Sequence, residues 1–372
     1  MTASVLVTGG AGYIGSHMVL GLLEAGETPV VLDNLSSGFR RAVPDNVEFV
    51  TGDCGDATLL STLFDRHNFD AIIHFAASIV VAESVTDPLG TYRNNTENAC
   101  TLLECAIQHR VPRFVLSSTA AVYGEPAISP VTETAQTSPI NPYGCSKLMV
   151  ECMLADVASV HPLCYAALRY FNVAGADPAG RAGQSGAHAT HLIKIAVQAA
   201  LGRRDGMDIF GSDYSTPDGS CVRDYTHVSD LVAAHIDALR YLRGGGQSIT
   251  CNVGYARGYS VFEVIDTVKR VSGADFNVRV KARRPGDPAS LVASNDRARA
   301  ELGWTPKHDN LETIVRQALA WERKLGLESA ADRGAREAAV QIATSSRAAY
   351  PSHDPSASLA PLDLASKAIA YD

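Results

Sequence analysis

The stretch SPINPYGCSKLMVEC, residues 138–152, places Tyr143 four residues before Lys147. On a helix that starts after Pro142 these two side chains share a face. A phenol titrates near ~10 in water, too high for a general base at neutral pH, but an ammonium beside it favours phenolate and lowers that value. A tyrosine so assisted could take a proton from a substrate hydroxyl. Two fixed positions also arise by chance as a ring packed beside a surface lysine, so the reading depends on what else the chain supplies.

Two further features supply it. VTGGAGYIGSH sets Gly9, Gly12 and Gly15 three apart between a β-rich run and a helical one. Glycine permits a tight turn there and lets the backbone approach a pyrophosphate, which the N–H groups and positive end of the next helix then hold. Asp33 ends the following β-rich run 18 residues after Gly15, near the ~20 expected of an acid that binds a ribose. A carboxylate there accepts from ribose hydroxyls and repels a 2′-phosphate, so NAD is expected over NADP. Asp53, ending a third run, would meet the adenine or cap an ordinary turn. The run LSSTAAVYG brings hydroxyls at Ser117, Ser118 and Thr119 just ahead of the Tyr143 helix.

The elements that must position these groups alternate. Residues 4–10, 28–35, 47–53, 71–77, 113–119 and 165–175 read as strands, and 14–26 and 91–108 as helices. Unalternating apolar strands separated by helices imply an α/β fold, a doubly wound parallel sheet buried on both faces. Beyond residue 175 the pattern loosens into Gly- and Pro-rich loops, as in GSDYSTPDGSCVRDYTH and ARRPGDPASL. We expect a dinucleotide-binding domain over 1–172 and a smaller α/β substrate-binding lobe over 173–325, partly interleaved with the first. Residues 326–372 read as an Ala/Ser-rich tail, disordered apart from a helix near 331–349.

Composition narrows the class. The chain has 372 residues, 46% hydrophobic and 19% charged, with a net charge of −8. That charge argues against binding nucleic acid or an anionic membrane through bulk electrostatics. There is no apolar run near the ~20 residues that span a bilayer, and the first is too short for a signal peptide. The eight cysteines have no paired spacing and the eleven histidines no metal motif, so a cytoplasmic enzyme without metal is expected.

The glycine spacing, HFAA at 74–77, the Ser/Thr cluster and Tyr143-x-x-x-Lys147, taken in order, resemble the extended, sugar-nucleotide branch of the short-chain dehydrogenase/reductase superfamily. TGGAGYIGSH, VLDNLS, NPYGCSK, LRYFNVAGA and RRPGD look like its UDP-glucose 4-epimerase family, over residues 4 to about 325. The resemblance implies a Rossmann domain and UDP-glucose/UDP-galactose interconversion. Tyr143 would deprotonate the sugar 4-hydroxyl, Thr119 would bond the same oxygen, and tightly held NAD would take the hydride and return it after the 4-keto sugar turns over. Lys147 would also hold the nicotinamide ribose. The implied NAD contacts are Gly9, Gly12, Tyr13, Ile14, Gly15, Asp33, Asn34, Asp53, Cys54, Phe75, Ala76, Ala77, Asn94, Tyr143, Lys147 and Phe171. The implied substrate contacts are Thr119, Asn172, His191, Leu192, Phe210, Arg223, Arg284, Asp287 and Leu291. Among these, Arg223 and Arg284 would grip the diphosphate, Asp287 the uridine ribose and Phe210 the uracil. His17 and His74 read as satisfied structural residues.

The chain departs from some relatives at Ile79, where a lysine would reach the pyrophosphate, and at His191, where an asparagine stands. Leu291 occupies a variable sugar-pocket position and predicts weak activity on N-acetylated sugars. Thr119-Ala120-Ala121 lacks the acidic pair of the 4,6-dehydratases, and retention of Tyr143 and Lys147 argues against a silent regulator. Another UDP sugar, such as a uronate or pentose, stays open as substrate. The family implies a homodimer, with helices near 91–108 and 143–158 pairing into a four-helix bundle.

Overall fold

Val5, Leu6 and Val7 are all fully buried, although successive strand residues point to opposite faces of a sheet. Val5, Val7, Val31, Ile73 and Leu168 enter one apolar cluster; Leu6, Leu32, Ile72, Phe114 and Ala167 enter another. Helices therefore cover both faces. In a computed structural model that describes residues 4–186, 190–284 and 287–328, this core is a seven-stranded sheet. Its strands are β1 (Ser4–Thr8), β2 (Pro29–Asp33), β3 (Glu48–Thr51), β4 (Phe69–His74), β5 (Arg113–Thr119), β6 (Cys164–Tyr170) and, after three strands of other sheets, β10 (Ile249–Val253). Their order is β10-β6-β5-β4-β1-β2-β3, and every pairing is parallel. The doubly wound expectation is borne out. The order reverses between β1 and β4, and such a switch point opens a crevice at the carboxyl ends of the strands.

The helices over this sheet are α1 (Tyr13–Glu24), α2 (Ala57–Arg66), α3 (Val81–Thr86), α4 (Pro88–Tyr92), α5 (Asn98–Gln108), α6 (Pro142–Val160) and, later in the chain, α8 (Val228–Arg243). Three endings follow from local chemistry. Asp56 caps α2 through the N–H groups of Thr58 and Leu59. Asn141 caps α6 through Gly144 N–H at 2.9 Å, with Pro142 at the first position where its missing N–H costs nothing. α1 closes into Gly26, whose φ is 77°.

The structure corrects three expectations. The apolar run 165–175 is two strands: β6 ends at Tyr170, and β7 (Asn172–Ala174) pairs with β9 (Val222–His227) of a second sheet. β3 is an edge strand with Glu48 and Thr51 exposed, so it is not buried on both faces. The segment CVRDYTH, read as loop, is mostly β9. Arg223 and Asp224 interrupt its apolar pattern, yet β9 is the central strand onto which β7, β11 (Gly258–Ser260) and β13 (Ser290–Leu291) pair. β8 (Met207–Phe210) pairs with β12 (Val278–Lys281) in a separate ribbon.

α7 (Leu192–Ala200), α9 (Val261–Ser272), α10 (Asp296–Leu302) and a helix over residues 311–328 are the remaining α-helices among the described residues. Ile193, Val197, Val264, Trp304 and Ile314 join the same apolar cluster as β1, and Met1–Lys324 forms one compact unit. The expected tail helix near 331–349 lies outside the described residues.

Candidate active site

The glycine turn leaves β1 with Gly9 at φ 70°. A Cβ on Gly9 would lie 2.6 Å from Ala76 N, and one on Gly15 would lie 2.1 Å from the Gly9 carbonyl oxygen. Both glycines are thus demanded by the turn itself. Gly12 is different: its Cβ would meet only Gly9 O, at 3.2 Å. Among the described residues no other group lies against that position, and no side chain caps α1, whose N-cap residue is Gly12. An open glycine ahead of an uncapped helix N-terminus fits a pyrophosphate, and so fits NAD at the glycine turn. Tyr13 and Ile14 form the first turn of that helix, and the Tyr13 hydroxyl donates to Gly175 O at 2.7 Å.

Asp33 ends β2 and accepts from the N–H groups of Ala11 and Leu35, each at 2.8 Å. It therefore ties the glycine turn to the next loop, with carboxylate lone pairs to spare for a ribose. Asn34 donates to Asp53 at 2.9 Å, and Asp53 also accepts from Asn98 at 2.7 Å. Cys54 beside it is buried, which pushes its thiol up to about 12. Phe75, Ala76 and Ala77 leave β4 directly across from the glycine turn, with Phe75 N–H on Thr8 O at 3.0 Å. Asn94 lies in a π-helical turn, Arg93–Glu97, and donates to Ser78 at 3.0 Å. Its neighbour Asn95 accepts from Ser78 N–H and donates to Ser146 on α6.

Tyr143, Lys147 and Thr119 converge at the carboxyl end of β5. Thr119 is its last residue, and its Oγ accepts from Ala121 N–H at 3.1 Å. Lys147 is 2% exposed, and its ammonium donates to the Ser117 carbonyl at 2.9 Å. Burial lowers its pKa to about 8, against the upward pull of Cys54 and Glu151. For Tyr143 a lowered value is expected from the ammonium and the positive nicotinamide ring together; the protein groups alone act the other way. Burial of the phenol raises it above the ordinary tyrosine range, opposed by the Thr119 hydroxyl.

On the substrate side, Arg223 in β9 reaches Asp287 at 3.3 Å, and Leu291 in β13 pairs with Arg223 in register. Arg284 lies 3.6 Å over the centre of the Phe210 ring. Phe171 and Leu291 meet in one apolar cluster with Ala120 and Tyr123, beside the end of β5. Asn172, His191 and Leu192 line a small pocket that Gln184, Lys194 and Trp321 also bound. His191 Nδ1 is 2.7 Å from the Gln184 amide nitrogen. Ile79 is exposed. Of the two structural histidines, His74 bonds Thr8 and His17 bonds the Tyr13 carbonyl, each at 2.7 Å, while His17 Nε2 has no partner within hydrogen-bond geometry among the described residues.

Residue spacing missed the groups that hold this arrangement. Glu151 falls on the Tyr143–Lys147 face of α6, one turn on, and is 6% exposed. Arg169 in β6 pairs with it. The interval 143, 147, 151 was the available signal.

Residues 5–254 match the model of the NAD dependent epimerase/dehydratase family. A UDP-glucose 4-epimerase of Azospirillum brasilense is 57% identical over 321 residues, covering 86% of this chain and 92% of that one. One from Halalkalibacterium halodurans is 50% identical over 321 residues, covering 86% and 96%. The crystal structure of UDP-glucose 4-epimerase from Brucella ovis in complex with NAD is 44% identical with a TM-score of 0.83, covering 86% of this chain and 98% of that one. That from Bifidobacterium longum in complex with NAD+ and UDP is 35% identical with a TM-score of 0.82, covering 87% and 98%. The resemblance read from the motifs is borne out. The chain belongs to the NAD dependent epimerase/dehydratase family.

Proposed function

We propose that this enzyme interconverts UDP-glucose and UDP-galactose at C4, with Tyr143 as general base and acid. The observation that carries the reading is the convergence of Tyr143, Lys147 and Thr119 beside the switch point of the parallel sheet. NAD, bound over the glycine turn, supplies the hydride acceptor and donor. Thr119 bonds the 4-oxygen of the sugar and aims its proton at the Tyr143 phenolate oxygen, which becomes the phenol on taking it. Lys147 keeps its ammonium at neutral pH and stabilises the phenolate. Arg223 and Arg284 hold the diphosphate, where guanidinium forks suit phosphate oxygens, and Asp287 turns from Arg223 to the uridine ribose. Phe210 lies beside the uracil, and Asn172, His191 and Leu192 flank the diphosphate. Phe171 and Leu291 offer the hexose apolar contact with few directional bonds. The sugar can therefore present either face while its nucleotide stays anchored, and Tyr143 returns the proton to the same oxygen.

Purified protein given UDP-galactose and no added NAD is expected to form UDP-glucose. Absence of product, with bound nicotinamide confirmed by absorbance, overturns the reading. UDP-N-acetylglucosamine is expected to turn over much more slowly, because half-buried Leu291 narrows the sugar pocket.

The assembly we propose is a homodimer built on the helices near 91–108 and 143–158. Val85 and Leu89, just ahead of the first, and Met149 on α6 are large apolar side chains left exposed, as interfaces require. A monomeric mass in light scattering overturns this. All eight cysteines are free thiols, which supports a reducing, cytoplasmic setting, and among the described residues no helix is long and apolar enough to cross a membrane.

A further inference from the structure

Lys147 and Glu151 stand four residues apart on α6, where opposite charges ordinarily pair. They do not pair here. The ammonium goes to the Ser117 carbonyl at 2.9 Å, and Arg169 takes both oxygens of the carboxylate: Nε at 3.0 and 3.2 Å, Nη2 at 2.5 Å. The Ser118 hydroxyl donates to the same carboxylate. Arg169 is held in turn, donating to the Tyr123 hydroxyl at 3.0 Å, which donates to Asn252 at 2.7 Å, whose amide donates to Val131 O at 2.9 Å.

We propose that the Arg169–Glu151 pair is a positioning device that keeps Glu151 from capturing the Lys147 ammonium, so that Lys147 stays on the Ser117 carbonyl and serves Tyr143. Three consecutive residues of β5 show how tightly this is fastened: Ser117 receives Lys147, Ser118 bonds Glu151, and Thr119 faces the substrate. The groups acting on Lys147 from the elements around it are Cys54 after β3, His74 on β4, Tyr143 and Glu151 on α6, and Arg169 behind Glu151. Burial keeps the Cys54 thiol at about 12 and the His74 imidazole at about 3, so both are neutral at pH 7. The carboxyl group of Glu151 is then the acidic group beside Lys147, and the Arg169 guanidinium occupies both of its oxygens. Lys147, Glu151 and Arg169 are 2%, 6% and 7% exposed, so water cannot substitute for a missing partner.

The proposal rests on Tyr143 as the base, and it separates from that reading by experiment. The epimerisation rate is measured against pH for Arg169→Gln, Glu151→Gln, the double variant and Tyr143→Phe, each checked for bound nicotinamide and thermal melting. Arg169→Gln frees the carboxylate to draw Lys147 away, so kcat is expected to fall on the order of a hundredfold from misplacement of the lysine, and the alkaline limb should move to higher pH. Glu151→Gln, which keeps the shape, should move that limb to lower pH. The double variant should recover roughly tenfold or more of the kcat lost by Arg169→Gln, because the competing charge is gone. Two halves of one ion pair shifting a pH limb in opposite directions is a result that a merely structural role does not produce. A double variant no better than Arg169→Gln, or a limb that stays in place in Glu151→Gln, overturns the proposal; the second arm stands even where Arg169→Gln fails to fold. Activity surviving in Tyr143→Phe sinks instead the function on which it rests.

Discussion

Arg169 and Arg223 each face a carboxylate, and their surroundings set them apart. The side chains of Arg169 and Glu151 are 9% and 7% exposed; those of Arg223 and Asp287 are 12% and 36% exposed, with a single contact at 3.3 Å. The enclosed pair cannot open without stranding two charges away from water. The half-open pair is cheap to break, since a long contact at a wet edge is worth little. One guanidinium is suited to fixing geometry, the other to exchanging its carboxylate for an arriving phosphate. The same contrast runs through the two regions: the β5–α6–β6 side is packed and locked, and the β9–β13 side holds its charges ready.

Several substitutions would break or sharpen this contrast. The largest effect is expected from Tyr143→Phe on the locked side, a loss of about 10²–10⁴-fold in kcat with bound nicotinamide retained; a rate near wild type would end the reading. The two glycines come next. Gly15→Ala forces a Cβ to 2.1 Å from a backbone oxygen and should lower the melting temperature sharply, whereas Gly12→Ala meets only one atom at 3.2 Å. Gly12→Ala should therefore fold yet lose nicotinamide on gel filtration; equal melting losses for both would show that Gly12 serves the turn alone.

On the open side, Arg223→Leu would remove the charged hydrogen bond proposed for the diphosphate and should raise KM by roughly ten- to hundredfold with a smaller change in kcat. A kcat effect larger than the KM effect would place Arg223 with the locked group. Phe210→Ala should cost least, about two- to fivefold in KM, the scale of an exposed cation–π contact.

A pH titration adds a test of sign. Lys147 is lowered to about 8 from 10.5, so its ammonium, and the activity that needs it, should fade as pH rises through that value. Between 8 and 10.5 the unfolded chain holds more protons on this residue than the folded one, so its contribution to stability rises with pH over that window. Activity should therefore fall there without a loss of melting temperature attributable to Lys147, as parallel assays and melts would reveal.

What was readable in the residues divides along the same line. β1, β2, β4 and β5 are continuous apolar runs, and the glycine turn is local chemistry, so both could be read without knowing the fold. The break at Phe171 could not: the chain stays apolar through Phe-Asn-Val-Ala while changing sheets, a matter of partners and not of propensity. β9 was lost because Arg223 and Asp224 look like loop residues. Yet Asp224 is fully buried, accepting from Tyr255 N–H at 2.9 Å and Ala256 N–H at 3.1 Å. Glu151 and Arg169 were passed over for a related reason. A lone charge in a pattern reads as solvent-facing, and its partner 18 residues away becomes visible only when α6 lies against β6.

The strand β10 has a consequence for how the molecule can be cut. It pairs with β6 along five residues, Ile249 to Val253, after the chain has travelled through the second sheet and back. A fragment stopped at residue 172 would leave β6 as a bare, apolar margin able to recruit strands from other molecules. A nascent chain emerging from a ribosome faces the same interval, with its nucleotide-binding half unsealed until residue 253 arrives. Truncation at 172 should therefore yield aggregates, and the earliest workable stop lies beyond β10.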